Sequence, residues 1–292
     1  MTSQKQPFNL AERIGISTNI FNNPENVMAL VRDLATDFNV IELEFDNDLR
    51  NALEHTAQTR QRFIHDLLTI KTEHDLCFSV HAPYLGRATD IASSNPMARA
   101  QAVKLMQRSL ALTHELGGTV MTCHPGYLDK SVMQVKTLLE NLQRSLEILT
   151  RDAQRFGIHL CLENTGNHRP KYLTLDSRQE QQLCKEHGVF ITLDLVHYSS
   201  YHSIDEDYYL HLKNSLPYVK NVHIADTVTP YHMHLPLGEG NLPYDHIISF
   251  INQHHYHGHF IVEERSKRYL SELYRGRAVA YKQMLSKKHD EK

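Results

Sequence analysis

Apolar positions in this chain recur on two alternating scales. Short runs rich in Val, Ile, Leu, Phe and Cys are separated by longer stretches whose apolar residues return at helical spacing. The short runs predict strands at Arg13–Ser17, Asn39–Phe45, Leu76–His81, Thr119–His124, Ile158–Glu163, Val189–Asp194, Val219–Ile224 and His259–Glu264. Helix signals fall between them. Asn23-Pro24 and Asn95-Pro96 pair a capping side chain with a first-turn proline, and Gly117-Gly118 and Gly188 are glycine stops. The predicted helices run from near Asn23-Pro24, from Asp48 to Glu73, from Asn95-Pro96 to Gly117, from Ser131 to Phe156, from Asp176 to His187, from Asp245 to His255 and from Lys267 to Leu285.

This order predicts an α/β chain folded as a single (β/α)8 barrel over residues 1–292. An open doubly wound sheet is the rival, and it needs a Gly-rich phosphate turn after its first strand. The chain instead reads Ile16-Ser17-Thr18-Asn19-Ile20-Phe21-Asn22-Asn23 there. The polar, Gly/Pro-containing stretch from Ala225 to Leu242 is long enough to be an active-site loop.

In a closed parallel barrel the C-terminal ends of all strands meet on one face. Nearly every predicted strand here ends on an imidazole or a carboxylate: His81, His124, Glu163, Asp194, His223 and the pair Glu263-Glu264. Asp194-Leu-Val-His197 adds a histidine where the chain leaves its strand, and His232-Met-His234 puts two imidazoles on one side of an extended segment. Gly238-Glu239-Gly240 follows and permits a tight turn. A lone histidine at a strand end is more often a hydrogen-bonded pocket residue than a ligand. Convergence changes that, because clustered carboxylates are costly to bury and bound cations are the usual remedy. The expected metal set is His81, His124, Glu163, Asp194, His197, His223, His232, His234 and Glu264, around zinc, manganese or iron.

Other positions carry weaker signals. Glu42 and Glu44 flank Leu43, so one of them is expected at the pocket mouth. Arg87, Arg169, Lys171 and Arg265 follow strand ends, where they could hold phosphate or carboxylate. The run His254-His255-Tyr256-His257-Gly258-His259 precedes the last strand, which puts it on the opposite barrel face.

Composition narrows the partners. The 292 residues are 41% hydrophobic and 22% charged, with net charge -3 and no apolar run of membrane-spanning length. The opening residues lack an apolar signal core, so a cytoplasmic location is expected. Four scattered cysteines read as reduced core thiols. No basic block marks a polyanion footprint, which lowers the odds of nucleic-acid binding without excluding it. The expected partners are a small carbohydrate-like substrate and, at most, further copies of the chain as a homo-oligomer.

The segments Val-His81-Ala-Pro-Tyr, Cys-His124-Pro-Gly, Leu-Glu163-Asn-Thr, Leu-Asp194-Leu-Val-His197, Val-His223-Ile-Ala-Asp, His234-Leu-Pro-Leu-Gly-Glu-Gly-Asn and Val-Glu263-Glu264 resemble the xylose isomerase-like TIM-barrel superfamily. That group includes sugar isomerases and epimerases and apurinic endonuclease IV, and the likeness spans essentially the whole chain. The resemblance implies two ligand schemes, between one and three ions. In the epimerase-like scheme Glu163, Asp194, His223 and Glu264 hold one ion, Glu163 and Glu264 move a proton through an enediolate, and His197 meets a substrate oxygen.

In the endonuclease IV-like scheme all the histidines join a trinuclear zinc cluster that hydrolyses a phosphoester, with His232 where an aspartate is usual. Counting from Gly-Glu-Gly favours Glu264 over Glu263, and Tyr84 matches a position that contacts DNA in the nuclease, where sugar-active relatives also carry aromatic residues. With Arg87, Glu44, Lys171 and Arg265, Tyr84 completes the expected substrate contacts. The first two strand ends place acid where a phosphate backbone would run, which favours a small substrate. The expected function is therefore a divalent-metal isomerase or epimerase of a sugar, polyol or sugar phosphate, followed by a multinuclear zinc phosphoesterase, and then by a non-catalytic metal-binding barrel.

Overall fold

A computed structural model describes residues 10–20, 27–44, 57–128, 135–166, 172–173, 175–201, 204–231, 233–264 and 271–290. Eight parallel strands close into a barrel: β1 Ile14–Ser17, β2 Val40–Leu43, β3 Cys77–His81, β4 Val120–Cys123, β5 His159–Glu163, β6 Phe190–Asp194, β7 Val219–Ile224 and β8 His259–Val262. Closure is made by β1, which pairs with β2 at Ile16–Ile41 and with β8 at Ile14–Phe260. The helices are α1 Val27–Leu34, α2 Ala57–His74, α3 Pro96–Glu115, α4 Val135–Phe156, α5 Ser177–His187, α6 Leu195–Ser199, α7 Glu206–Ser215, α8 Tyr244–Gln253 and α9 Ser271–Asp290.

Local chemistry sets the element ends. The Asn95 side chain accepts from the Met97 and Ala98 amides at 3.0 and 3.2 Å, with Pro96 in the first turn of α3. Asp176 and Gln179 form a reciprocal capping box on α5, which stops at Gly188 in the left-handed region with φ 70°. Helix α4 shows how the outer layer packs, since its Leu138, Leu142, Leu146, Leu149 and Ala153 share one buried stripe.

Strand parity fixes which side chains enter the barrel. The register sets Glu42 beside Ser79, His81 beside Thr122, Glu163 beside Thr192, Asp194 beside His223, and His223 beside Ile261. These form the inward rows. Ile261 therefore carries Glu263, two residues on, into the lumen and turns Glu264 outward.

All eight predicted strands occur, most of them a residue or two shorter than expected. Helix α7 was not foreseen: its ten residues hold four tyrosines and leucines among charges, and Asp205 caps it through the Tyr208 amide. The last helix runs on to Asp290 rather than stopping at Leu285. The expected start at Asn23-Pro24, and the expected helical residues 48–56, 131–134 and 267–270, lie outside the described residues. No helix among those described is long and apolar enough to cross a membrane.

Candidate metal centre

At the C-terminal mouth of the barrel, His81, His124, Glu163, Asp194, His197, His223, His234 and Glu263 converge, and every one is buried. Their donor atoms fall into three groups, each within 4.8 Å: His81, His124 and Glu163; Glu163, Asp194, His223 and Glu263; Asp194, His197 and His234. Glu163 belongs to the first two and Asp194 to the last two. The groups are therefore joined through shared carboxylates.

Glu163 divides its oxygens between neighbours. Oε2 lies 2.9 Å from Nε2 of both His81 and His124, whereas Oε1 lies 3.2 Å from Nδ1 of His197 and 3.6 Å from Nδ1 of His223. Asp194 ends β6 and caps α6, accepting the His197 amide at 2.7 Å, so the turn brings His197 into the same pocket. Asn164 clasps the Asp194 backbone, accepting its amide at 2.7 Å and donating to its carbonyl at 3.0 Å.

The imidazoles are oriented from behind. Nδ1 of His81, His197 and His234 lies 2.9, 2.8 and 2.8 Å from the carbonyl oxygens of Ala82, Asn164 and Glu263. A carbonyl only accepts, so each Nδ1 carries hydrogen and each Nε2 is left for the centre. Backing of this kind is what orients histidines at metal sites. His124 is held differently, stacked on Tyr84 with centroids 4.6 Å apart and edge-on to Tyr172.

Electrostatics follow from burial and crowding. Burial would raise the Glu163 carboxyl, but His124, His197 and His223 hold it well below the usual range. Glu263 is likewise held well below it, with His223 outweighing burial. Asp194 is pushed up to about 6 by burial, with His197 opposing and Glu263 and Glu163 reinforcing. Burial would lower His81 and His197, yet Glu44, Glu163 and Glu42 bring His81 to about 10, while Asp194, Glu163 and Glu263 bring His197 to about 9. Burial lowers His124 despite Glu163. Protons on imidazoles thus balance the carboxylates where divalent cations could.

This donor set fits a divalent cation. Imidazole nitrogen and carboxylate oxygen suit zinc, manganese and iron, and the Nε2 atoms point inward with their tautomers set from outside. His81, His124 and Glu163 could hold one ion, Glu163, Asp194, His223 and Glu263 another, and Asp194, His197 and His234 a third.

Comparison with known proteins adds the family. The xylose isomerase-like TIM barrel family matches residues 29–285. The chain belongs to that family. An uncharacterized protein of Methanocaldococcus jannaschii is 24% identical over 272 residues, covering 91% of this chain and 88% of its own. A probable endonuclease 4 of Mycoplasma pneumoniae is 24% identical over 204 residues, covering 63% of this chain and 68% of its own. Among solved structures, a D-tagatose 3-epimerase-like protein superposes with TM-score 0.77 at 21% identity, over 95% of this chain and 99% of that one. At these identities the structural likeness speaks to the fold shared across the xylose isomerase-like family.

Most of the expected metal set comes together in this family member, with one correction and one position outside view. Glu264 does not enter the group; Glu263 does, with Oε2 2.8 Å from His223 Nδ1. The reason is parity: Glu264 turns away and accepts the Leu237 amide at 2.8 Å. Burial pushes its carboxyl up to about 8. The alternation of Phe260 and Val262 toward the helices carried that signal. Counting from Gly-Glu-Gly masked it. His232, Lys171, Arg169 and Arg265 lie outside the described residues.

Tyr84 is buried with Tyr127 and Tyr172 in an aromatic cluster beside His124. Arg87 is exposed on the short 3-10 turn Arg87–Thr89. Glu44 follows the C-terminal end of β2, on the mouth side, where it is buried and takes hydrogen bonds from Ser17 at 2.7 Å and Asn19 at 2.8 Å. Glu42, its partner in the sequence pattern, also points inward and touches His223, a contact not anticipated. The histidine run at 254–259 lines a cleft of about 580 Å³ with His159, Lys213 and Lys220 at the N-terminal ends of the strands, and joins no metal-type group among the described residues.

Proposed function

We propose that this xylose isomerase-like protein is a divalent-metal enzyme that works with more than one ion and hydrolyses a phosphoester on a small carbohydrate-like substrate. The observation that carries this reading is the sharing of Glu163 and Asp194 among three adjoining donor groups. A single ion in the Glu163–Asp194–His223–Glu263 group would leave the His81 and His124 donors unused. Ions held by these adjoining groups would supply the water activation and charge neutralisation that ester hydrolysis needs.

The chain's own residues supply the rest. His81, His197 and His234 keep their Nδ1 protons on backbone carbonyls, so their Nε2 atoms stay unprotonated when a cation is held. Tyr84, Tyr127 and Tyr172 wall off water on the His124 side. The buried acids Glu42 and Glu44, together with net charge -3, favour a small phosphoester over a nucleic-acid backbone. The name of the Mycoplasma relative, a probable endonuclease 4, is consistent with ester hydrolysis.

A second reading reverses the emphasis. Glu163, Asp194, His223 and Glu263 alone make a compact four-residue site suited to one ion, with Glu163 and Glu263 as the proton-moving pair. The similar solved structure bearing the name D-tagatose 3-epimerase-like favours it, and so sugar isomerisation or epimerisation stands next. It leaves His81 and His124 without a task.

Elemental analysis of the purified protein, followed by assays on sugar phosphates and on ketoses in deuterium oxide, separates the two. Two or more ions per chain with phosphate release is the expected result. One ion with deuterium entering next to the carbonyl would replace it by the epimerase reading, and ions held without either activity would leave a metal-binding module.

A further inference from the structure

The cleft of about 580 Å³ at the N-terminal ends of the strands lies at the far end of the barrel from the metal centre and shares no residue with it. The described residues that line it include Lys213, Lys220, His159 and four histidines of the 254–259 run, and no aspartate or glutamate. That imbalance is local. The whole chain carries net charge -3, and elsewhere Arg275 pairs with Asp33 and Asp37, Arg277 with Glu239 and Arg60 with Glu115. Neither lysine of the cleft makes an ion pair among the described residues.

We propose that this cleft is a second ligand site, which takes a phosphate-type dianion, free or as the monoester of a small molecule. The inference is independent of the chemistry proposed for the metal centre.

The cationic and imidazole groups come from four places in the fold. Strand β5 begins at His159, α7 carries Lys213 in its last turn, β7 carries Lys220, and the turn between α8 and β8 supplies the other histidines. Phe190, at the start of β6, orders two of them: Lys220 Nζ stands 4.9 Å from its ring centroid, and the His159 ring meets it edge-on at 4.6 Å. Burial first, and then the Lys220 ammonium, lowers the His159 imidazole. A dianion beside them would relieve that repulsion.

The floor is preformed. Tyr256 donates to the His259 carbonyl at 2.8 Å, and Arg13 donates to the Gly258 carbonyl at 2.9 Å. A Cβ on Gly258 would stand 2.3 Å from the Tyr256 hydroxyl and 2.5 Å from the Lys220 carbonyl, so the turn is pressed onto β7. Little ordering is left to oppose binding.

A metal ion is the poorer occupant, because no three donors of the cleft come within 4.8 Å of one another and no carboxylate joins them. Ammonium and imidazole N–H groups donate, and the oxygens of a phosphate dianion accept. The volume falls within the range of about 300–1,000 Å³ common to small-molecule sites, which leaves room for more than a bare phosphate.

The test uses the full metal-loaded chain at constant ionic strength. Inorganic phosphate is the first probe, and methylphosphonate is the second, an organic dianion that a phosphoesterase centre cannot hydrolyse. Imidazole nitrogen NMR should show His159, His254 and His259 shifting together along one saturating curve. Phosphate held at the metal centre would instead shift the histidines there. Lys213→Glu and Lys220→Gln should each weaken binding at the cleft by about tenfold with metal content unchanged. Lys213 is exposed, so its charge reversal tests the site without touching the core. Methylphosphonate that displaces phosphate supports a monoester occupant, and failure to displace it supports free phosphate. No saturation at the cleft histidines, or saturation that survives Lys213→Glu unchanged, overturns the proposal and leaves the metal-centre reading untouched.

Discussion

Asp194 and His197 are linked twice over three residues: Asp194 Oδ1 accepts the His197 amide at 2.7 Å, and Oδ2 lies 3.6 Å from the His197 imidazole. One carboxylate thus ends a strand, starts a helix and joins two donor groups. The local capping bond and membership of the centre are not alternatives here. The first creates the turn that makes the second geometrically available.

Replacement of Asp194 should separate these duties. Asp194→Ala loses both the cap, worth about 1 kcal/mol, and the acid common to two donor groups. Asp194→Asn keeps an acceptor for the His197 amide but removes the charge. Both should lose activity and bound metal, with only the alanine variant melting measurably lower. A fully loaded, fully active alanine variant would contradict the assignment.

The adjacent glutamates at the end of β8 should behave oppositely. Glu263→Gln is expected to deplete metal, and Glu264→Gln is not. Glu264, raised to about 8 by burial, carries its proton at pH 7, and its Oε2 has no hydrogen-bond partner among the described residues. Because the folded state holds that proton more tightly than the unfolded chain does, stability from this group falls as pH rises between its ordinary value of 4.5 and about 8. Glu264→Gln should therefore gain on the wild type as pH is raised across that range. Denaturant titrations at pH 5 and pH 8 with unchanged difference would refute it.

Cation uptake should expel protons. In the metal-free protein His81 and His197 titrate near 10 and 9, so both are charged at neutral pH. Ligation needs them neutral, which makes zinc affinity rise as pH goes from 7 to 9 and releases protons measurable by calorimetry in buffers of different ionisation enthalpy. The same shifts fix a stability trend for the metal-free form. A raised histidine value stabilises fully below about 6.5 and is lost as pH passes through 9 to 10, so melting temperature should drop there. Zinc binding without proton release at pH 7 would disprove the protonation pattern.

Chelation should abolish activity reversibly. Glu42, Glu163, Asp194 and Glu263 crowd one buried space, where without cations only protonated imidazoles balance them. Removal of the ions should lower the melting temperature while leaving far-ultraviolet dichroism barrel-like, since cations that bind only the folded chain add to its stability. Added zinc or manganese should restore both. Activity that survives complete stripping would exclude metal dependence.

The barrel was legible because each strand and helix carries its own periodicity, and the convergence of His81, His124, Glu163, Asp194 and His223 follows from strand ends alone. What stayed hidden depends on partners distant in sequence. Glu263 and Glu264 are chemically identical, and only pairing of Ile261 with His223 decides which enters the lumen. Glu42 looked equivalent to Glu44 until the lumen brought His223 against it across an interval of 181 positions, the difference between their residue numbers. Helix α7 escaped notice because its tyrosines and leucines sit among charges in a short span.

The loop that carries His234 offers the last test, because a single buried acid organises it. Asp226 accepts from the amides of Gly238 at 3.0 Å, Gly240 at 2.8 Å and Leu242 at 3.2 Å, and its backbone pairs with Leu235. A Cβ on Gly240 would stand 2.2 Å from both Asp226 Oδ1 and the Thr227 carbonyl, so only glycine permits this clasp. Asp226→Ala strands those buried amides and should cost roughly 1–3 kcal/mol. Gly240→Ala should push the loop off its anchor. Since His234 is positioned by that loop, both variants should lose the ion bound with Asp194 and His197 before the others. Variants that keep every ion with unchanged affinity would show that the clasp does not support the centre.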